Sequence, residues 1–297
     1  MRAATLRLLL PIVYVVINKN RSLGFIALVS IAQCLLLLPP ERGVSGQGAV
    51  EVEVEVEVEV QALLQVKAGL NNPNGLSSWS SSGSPNPCGD RWAGLTCKHD
   101  AASSSDHVIQ ISLPGLLKDA AIPGGQQTIS PSIKDLAYLE SLDLSNNNLI
   151  GQIPPEITHL KYLKALDLSG NRLSGSLPQI WTNFTQLQNV SLYKNQLGGA
   201  IPDLLSQARN IEKLRLEQNQ LTGQIPSGLF GGNMTRLQYF AIEFNHISGN
   251  IPDGIGTCVS LRWFSAGHNQ LSGKLPDSMG SLRQLSTLRV ENNSLTG

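Results

Sequence analysis

The sequence lacks the motifs that mark most enzymes and nucleic-acid-binding proteins. Its five histidines form no pair at metal-ligand spacing, and no phosphate-binding glycine loop followed by a lysine occurs. No segment resembles a kinase signature. Basic and acidic residues number 22 each, so the chain has no net charge to form the basic patch that nucleic acids require. We therefore expect a binding protein without catalytic residues, metal or cofactor, and no nucleic-acid partner.

Long apolar runs are also missing after the first 48 residues. Within that segment, the stretches Leu6–Ile17 and Leu23–Leu38 are separated by a short basic segment, and small residues follow the second. This order is typical of a secretory signal peptide, since 16 residues are few for a membrane span. Residues 1–48 are thus expected to be a leader that sends the chain to the cell exterior, with an uncleaved signal anchor as the alternative.

An asparagine returns at a nearly constant interval through the second half of the chain. The interval is 24 residues, except for one of 26 between Asn219 and Asn245. The seven positions are Asn147, Asn171, Asn195, Asn219, Asn245, Asn269 and Asn293. Around each lies one frame of two apolar residues flanking a variable one, then the Asn, a Gly and Ile-Pro or Leu-Pro. A fixed period in this range predicts a solenoid of stacked repeats.

The residue types explain the frame. Alternation around Leu166 and Leu168 predicts a short strand whose leucines point into the stack while Asp167 points out. The Asn that follows can both donate and accept, so we expect it to pair backbone groups of the turn. Gly permits a tight bend there, and Pro fixes φ without offering an N–H.

This frame resembles the plant-type leucine-rich repeat. The discriminating element is Gly-x-Ile-Pro, as in residues 151–154, 223–226 and 249–252. The resemblance covers about residues 108–297, including a degenerate first copy from Val108 with an insertion near residues 118–127. It implies an α/β-class leucine-rich-repeat solenoid over residues 106–297. That solenoid is curved, carries short parallel strands on its concave face, and has one degenerate and seven Asn-marked repeats, the last cut short.

Residues 61–105 resemble the N-terminal cap of such proteins. Leu63, Val66 and Leu70 share one helical face, and a Pro-Cys…Trp-x-Gly-x-x-Cys pattern follows. A cap covers the core and the strand edge that the first repeat would otherwise expose. In an exported chain of this kind, Cys88 and Cys97 are expected to form a disulfide. Zinc is the weaker alternative, because further ligands at suitable spacing are missing.

Two remaining segments lead to simpler expectations. Glu51 to Val60 alternates Glu and Val, so residues 49–60 are interpreted as an exposed, disordered low-complexity lead-in. Cys258 is expected to be a small buried apolar side chain and not a reactive thiol.

Binding is expected on the concave face, meaning the exposed positions of the strands. The first two full repeats carry small polar residues there, whereas later ones carry aromatic residues and both charge signs. Such a mixture suits a protein or peptide contact, where Trp, Tyr and Arg dominate the binding energy. The predicted partner-binding residues are Tyr193, Arg215, Glu217, Tyr239, Glu243, Phe244, Trp263, His268 and Arg289, with Tyr239 and Trp263 central. The alternative is that these repeats are merely degenerate and their aromatic side chains are partly buried against neighbours.

Four sequons for N-linked glycosylation follow the leader, at Asn183, Asn189, Asn233 and Asn292. Asn183 and Asn233 fall outside the strands and are the better candidates. Asn189 and Asn292 fall on the strand face, where a glycan would compete with a partner.

The resemblance implies the extracellular part of a plant receptor-like kinase or receptor-like protein in cell-surface signalling. Such a protein binds a peptide, a protein ligand or a co-receptor ectodomain. Because the chain stops at Gly297 inside a repeat, we expect a truncated ectodomain, attached to a membrane only through a missing C-terminal span or an uncleaved leader. The second hypothesis is a secreted inhibitor of a pathogen enzyme, resembling polygalacturonase inhibitors, although their C-terminal cysteine cap is absent. The third is a structural wall protein, for which a Pro-rich extension is missing.

Overall fold

The computed structural model describes residues 47–71, 74–83, 85–101, 104–116, 127–231 and 234–296, with side chains from residue 55 onward. The chain divides into two units, residues 1–55 and 56–297, and the first is described only at 47–55. The expected leader up to residue 46, most of the insertion near 118–127, and the sequon at Asn233 lie outside the described residues. No described helix is both long enough and apolar enough to cross a lipid bilayer.

Short strands, separated by turns and single helical turns, make up the repeats. In chain order the strands are β1 (Leu95–Asp100), β2 (Ser105–Ser112), β3 (Ser141–Asp143), β4 (Ala165–Asp167), β5 (Asn189–Ser191), β6 (Gly198–Ala200), β7 (Lys213–Arg215), β8 (Gln220–Thr222), β9 (Tyr239–Ala241), β10 (Ser248–Gly249), β11 (Trp263–Ser265), β12 (Gln270–Gly273), β13 (Thr287–Arg289) and β14 (Ser294–Leu295). The main sheet has the order β1-β2-β3-β4-β5-β7-β9-β11-β13. Its first pair is antiparallel and all later pairs are parallel.

Smaller parallel sheets and 3₁₀ helices complete each repeat. The pair β6-β8 and the trio β10-β12-β14 lie where the chain leaves the turn after the repeat asparagine. The 3₁₀ helices are Asn74–Leu76 in the cap and, in the repeats, Pro131–Asp135, Pro155–His159, Asp203–Gln207, Ser227–Phe230, Asp253–Thr257 and Asp277–Ser281. Most of the repeat helices begin directly after the proline of Ile-Pro or Leu-Pro, which caps them in an extended conformation.

The strand register keeps equivalent residues side by side. Leu142, Leu166, Val190 and Leu214 pair in succession along the sheet and are all buried. The 26-residue interval does not disturb this order, because Leu214 still pairs with Phe240. The two extra residues are therefore accommodated outside the strands. The expected alternation is confirmed, since Leu166 and Leu168 are buried while Asp167 is half-exposed.

The repeat asparagines connect one repeat to the previous one. Asn171 donates from Nδ2 to the carbonyl oxygens of Leu144 (3.0 Å) and Leu168 (2.9 Å). Its Oδ1 accepts from the backbone N–H of Asn147 (2.9 Å) and Leu149 (3.0 Å). Equivalent bonds recur at Asn195, Asn219, Asn245, Asn269 and Asn293. The expected pairing role is confirmed, and each Asn also serves as an inter-repeat link.

The N-terminal cap begins with helix α1 (Gln47–Gly69), which is longer than expected. The prediction that residues 49–60 form a disordered lead-in was wrong, because they are helical. Glu59 and Val60 are buried, and Glu59 accepts from the backbone N–H of Val108 at 3.3 Å and contacts Nδ1 of His107 at 3.1 Å. An alternation of Glu and Val with a period of two does not indicate a helical face. Helix α1 is stabilised instead by the contacts of Glu59 with His107 and Val108, which lie 48 and 49 residues further along the chain.

The remainder of the cap agrees with expectation. Leu63 and Val66 are buried on α1, and Leu70, directly after the helix ends, is buried as well. Cys88 and Cys97 form the disulfide, with their Cα atoms 5.8 Å apart. The strand β1 pairs with β2 and so covers the edge of the first repeat, as a cap must.

Candidate functional site

Predicted binding residues from different repeats come together on the concave face because the strands are in register. Tyr239 pairs with Trp263, and Arg215 lies in the same column as Ser265 and Arg289. Neighbouring strands are roughly 4.8 Å apart, so side chains in one column contact each other directly.

Five of these residues form a continuous stack that we call the aromatic–arginine ladder: Tyr193, Arg215, Tyr239, Trp263 and Arg289. The Cζ atom of Arg215 lies 4.1 Å from the ring centroid of Tyr193 and 5.9 Å from that of Tyr239. The rings of Tyr239 and Trp263 stack at 5.4 Å, and Cζ of Arg289 lies 4.9 Å from the Trp263 ring. Each cation–π contact at such a partly exposed site contributes about 0.5–1 kcal/mol and holds the side chains in one arrangement.

The ladder remains accessible to solvent. Tyr193, Tyr239 and Trp263 are half-buried, and Arg289 is exposed. The aromatic side chains are therefore partly buried against their neighbours, as the alternative from the sequence expected. Part of each ring nevertheless stays exposed to solvent. A ligand would meet side chains that are already ordered, which lowers the entropy cost of binding.

An acidic pair lies beside the ladder. Arg215 donates from Nε and Nη2 to Oε1 of Glu217 at 2.8 and 2.6 Å. Burial raises the pKa of Glu217 above its ordinary value, and the negative charge of Glu243 raises it further despite the Arg215 contact. Glu243 in turn accepts a hydrogen bond from the hydroxyl of Ser265.

Phe244 and His268 form a second contact group at the exit of their strands. Their rings stack at 4.1 Å, and the side-chain amide of Asn292 lies 3.0 Å from Nε2 of His268. Both residues have positive φ, of 54° and 53°, in the left-handed region that Gly170 occupies in an earlier repeat. Phe244 is nevertheless 47% exposed. A bulky residue is strained in this region, although the equivalent positions Lys194 and Gln218 also have positive φ.

The structure groups the nine predicted residues by contact, while their role in binding stays a prediction. Glu217 is not exposed as expected, since it is 4% exposed. The residues that lie after their strands end, and not within them, are Tyr193, Glu217, Glu243, Phe244 and His268. Reasoning from the sequence missed Ser265 and Asn292, which orient Glu243 and His268. Comparing equivalent positions of neighbouring repeats for small polar residues, as well as for aromatic and charged ones, would have found both.

The sequence also did not reveal an aromatic stack near the cap. His107 stacks on Tyr138 at 3.8 Å, and Tyr138 lies 6.3 Å from Tyr162, beside a cavity of about 260 Å³. The two tyrosines are 24 residues apart, which is the signal that could have paired them. Across the described ranges, no group of three or more His, Cys, Asp or Glu side chains could hold a metal ion.

Family models match the cap and the repeats separately. The leucine rich repeat N-terminal domain matches residues 56–98, and leucine rich repeat models match residues 137–197, 210–231 and 260–282. The chain is a leucine-rich-repeat protein. The match to the N-terminal domain model begins at Val56, inside the Glu-Val run, in agreement with the helical start of the cap.

Relatives of this leucine-rich-repeat protein include receptors and inhibitors. It is 36% identical over 109 residues to the probable receptor-like kinase RPK1 of Arabidopsis thaliana, covering 31% of this chain and 19% of RPK1. It is 35% identical over 92 residues to polygalacturonase inhibitor 1 of Phaseolus vulgaris, covering 31% of this chain and 24% of the inhibitor. The matched segment therefore spans less than a quarter of either relative.

Solved structures extend the likeness over most of the chain. The complex of PEPR1 with AtPEP1 has a TM-score of 0.69 and 32% identity, over 80% of this chain and 32% of PEPR1. The ectodomain of the Arabidopsis receptor kinase HAESA in complex with an IDA peptide hormone ligand has a TM-score of 0.60 and 30% identity, over 81% of this chain and 42% of the HAESA chain. These likenesses confirm the expected fold class.

Proposed function

We propose that this protein binds a peptide or an extended protein segment on its concave face, as the ligand-binding part of a plant receptor-like kinase or receptor-like protein at the cell surface. The observation that carries the proposal is the aromatic–arginine ladder. It concentrates Tyr, Trp and Arg, the residue types that dominate binding energy, on an accessible and pre-ordered surface across five repeats. The likeness to the HAESA ectodomain in complex with a peptide hormone ligand supports a peptide as the ligand.

The test is an interaction screen of the purified chain against secreted plant peptides and cell-surface ectodomains. We expect at least one specific ligand, and we expect the double variant Tyr239→Ala with Trp263→Ala to lose it. Tyr162→Ala is the matched control, because Tyr162 is an exposed tyrosine in the other aromatic stack. Unchanged affinity in the double variant, with secretion and circular dichroism preserved, would refute the proposal.

A secreted inhibitor of a pathogen polygalacturonase is the second candidate, favoured by the 35% identity to the Phaseolus vulgaris inhibitor. The same purified chain added to fungal polygalacturonases distinguishes the two. Loss of pectin hydrolysis supports the inhibitor, whereas full hydrolysis together with a peptide found in the screen supports the receptor.

A further inference from the structure

Three polar atoms on the concave face are buried without any hydrogen-bond partner within the described residues. They are Oε2 of Glu217, Nε1 of Trp263 and Oγ of Ser191, which pairs with Arg215 across the sheet. Glu217 as a whole is only 4% exposed, and both donors of Arg215 go to its other oxygen. Leaving such an atom unpaired costs about 1–3 kcal/mol, and most buried polar atoms in folded proteins are paired. One acceptor and one donor on the same face therefore point to a ligand.

The charge at this place is unbalanced. Glu217 has Arg215 as its ion-pair partner, but Glu243 forms no salt bridge within the described ranges. Its one described side-chain bond is accepted from the neutral hydroxyl of Ser265. Two carboxylates on neighbouring repeats thus have a single cation beside them. Burial is the main cause that raises the pKa of Glu217, and the negative charge of Glu243 adds to it. A second positive charge would complete the group.

The neighbouring repeats do not supply that charge. Gly267 occupies the column position after Glu243, and Arg289, on the far side of Trp263, lies over the indole ring. The carboxylate of Glu291 fills the space over Gly267, since a Cβ atom there would lie 3.0 Å from it. The acidic pair is therefore flanked by the ladder on one side and by a third carboxylate on the other.

We propose that Glu217 and Glu243 form the subsite for a positively charged group of a peptide ligand, a lysine ammonium or an arginine guanidinium, while the indole N–H of Trp263 donates to a carbonyl oxygen of the same ligand. The proposal rests on the proposed function. Trp263 and Glu217 stand two strands apart, roughly 10 Å across the sheet, and Trp263 is in register with Lys213, four residues before Glu217. An extended peptide of more than three residues is therefore needed to reach both. Tyr239, between them, offers its ring to the aliphatic part of the charged side chain.

The test compares two peptide pools that differ in one charge. Both are N-acetylated, C-amidated decapeptides with uncharged residues at all random positions. The central residue is arginine in one pool and citrulline in the other, so shape is retained and charge is removed. Binding of the purified chain is measured by fluorescence polarisation at low ionic strength. We expect the arginine pool to bind at least about tenfold more tightly, as a charge-assisted hydrogen bond predicts.

Variants test whether Glu217 and Glu243 cause the preference for the arginine pool. Glu243→Gln and the double variant with Glu217→Gln should each reduce the arginine preference, the double variant to less than about twofold. Glu243→Gln removes a charge without touching the Arg215 contact, so it stays informative even if the double variant is unstable. Glu156→Gln is the control, because it removes one carboxylate from a 3₁₀ helix of an earlier repeat, away from the subsite. A tenfold preference that persists in Glu243→Gln and in the double variant would overturn the proposal.

The outcomes separate this proposal from the function on which it rests. Equal binding of both pools, lost in Tyr239→Ala with Trp263→Ala, would keep the concave face as a peptide site and reject the cationic subsite. Absence of binding by either pool would count against both.

Discussion

Tyr239 and Trp263 stack with their ring centroids 5.4 Å apart and their planes 15° from parallel, each at the first residue of neighbouring strands. Arg215 and Arg289 lie at the two ends of this stack. The pair is therefore the centre of a surface whose side chains are ordered before a ligand arrives.

The indole of Trp263 is expected to contribute both a ring and an N–H to binding. Trp263→Ala should weaken the affinity for a ligand found in the screen about thirtyfold, equivalent to about 2 kcal/mol, since central aromatic residues dominate such interfaces. Trp263→Phe keeps a ring to stack on Tyr239 but lacks the N–H, so its loss should be intermediate. Isothermal titration calorimetry measures both. Equal affinities for the Ala variant and wild type would contradict this account.

The repeat asparagines are expected to hold the stack together. Asn219→Ala removes the donor to the carbonyl oxygens of Leu192 and Leu216 and the acceptor for the N–H of Leu197. These buried groups would lose their partners, so we expect unfolding to become easier by about 2–4 kcal/mol. Urea denaturation followed by circular dichroism gives the value. Gln220→Ala, at the exposed neighbouring residue, is the control and should change the midpoint little.

The repeat architecture was predictable because one frame recurs with chemistry that has few structural solutions. Two leucines flanking Asp167 require a strand with one buried face, and the following Asn171 must pair turn backbone. Columns of the concave face follow from the same period, which is why Tyr239 and Trp263 could be placed side by side. The disulfide followed from the cap pattern together with export.

Contacts between residues distant in the chain were not predictable in this way. The helical start of the cap depends on Glu59 reaching His107 and Val108, and no local pattern specifies that contact. The hydrogen bond from Ser265 to Glu243 depends likewise on side-chain rotamers in two repeats. A period tells which residues share a column but not which way each side chain turns.

Phe244 is expected to make the folded protein less stable than an Asn at the same position would. Its left-handed backbone costs about 1–2 kcal/mol for such a residue, whereas Asn tolerates it, as at Asn146 and Asn292. Relief of this strain stabilises the Phe244→Asn variant, and loss of the stacking on His268 offsets part of the gain. The free energy of unfolding should therefore rise by up to about 1 kcal/mol. If Phe244 belongs to the binding surface, the same change should weaken ligand affinity.

Gln218 provides the comparison for that variant, because it has φ of 56° at the same position of the preceding repeat and makes no aromatic stack. Gln218→Asn should stabilise the fold similarly while leaving affinity unchanged. Thermal unfolding and titration of both variants check this. A Phe244→Asn variant that is less stable than wild type would show that stacking outweighs backbone strain.

Glycosylation is expected at Asn183 in preference to Asn292. Asn183 lies outside the strands, whereas Asn292 lies on the concave face with its amide nitrogen 3.0 Å from Nε2 of His268. A glycan on that nitrogen would remove one of its hydrogens and crowd the ring. Mass spectrometry of glycopeptides from the secreted chain should find Asn183 occupied and Asn292 largely unmodified. The reverse occupancy would mean that this end of the concave face is covered.

Cys258 is expected to make stability fall at alkaline pH. Burial raises the pKa of its thiol from the ordinary 9.0 to about 11. Below pH 9 the thiol is protonated in the folded and the unfolded chain, so its contribution to stability is fully present. Between pH 9 and 11 the unfolded chain loses the proton first, so the free energy of unfolding decreases by up to about 2.7 kcal/mol.

The variant Cys258→Ala isolates this contribution, because its packing defect is the same at every pH while the thiol is gone. Tyr and Lys residues also titrate in this range, but they do so in both proteins and cancel in the difference. Between pH 8 and 10.5 the wild type should therefore lose roughly 2 kcal/mol more than the variant. At pH 8 the native thiol should also react with iodoacetamide far more slowly than a free cysteine, since the thiolate is the nucleophile. Parallel stability profiles of the two proteins would mean that water reaches the thiol and that burial does not control its protonation.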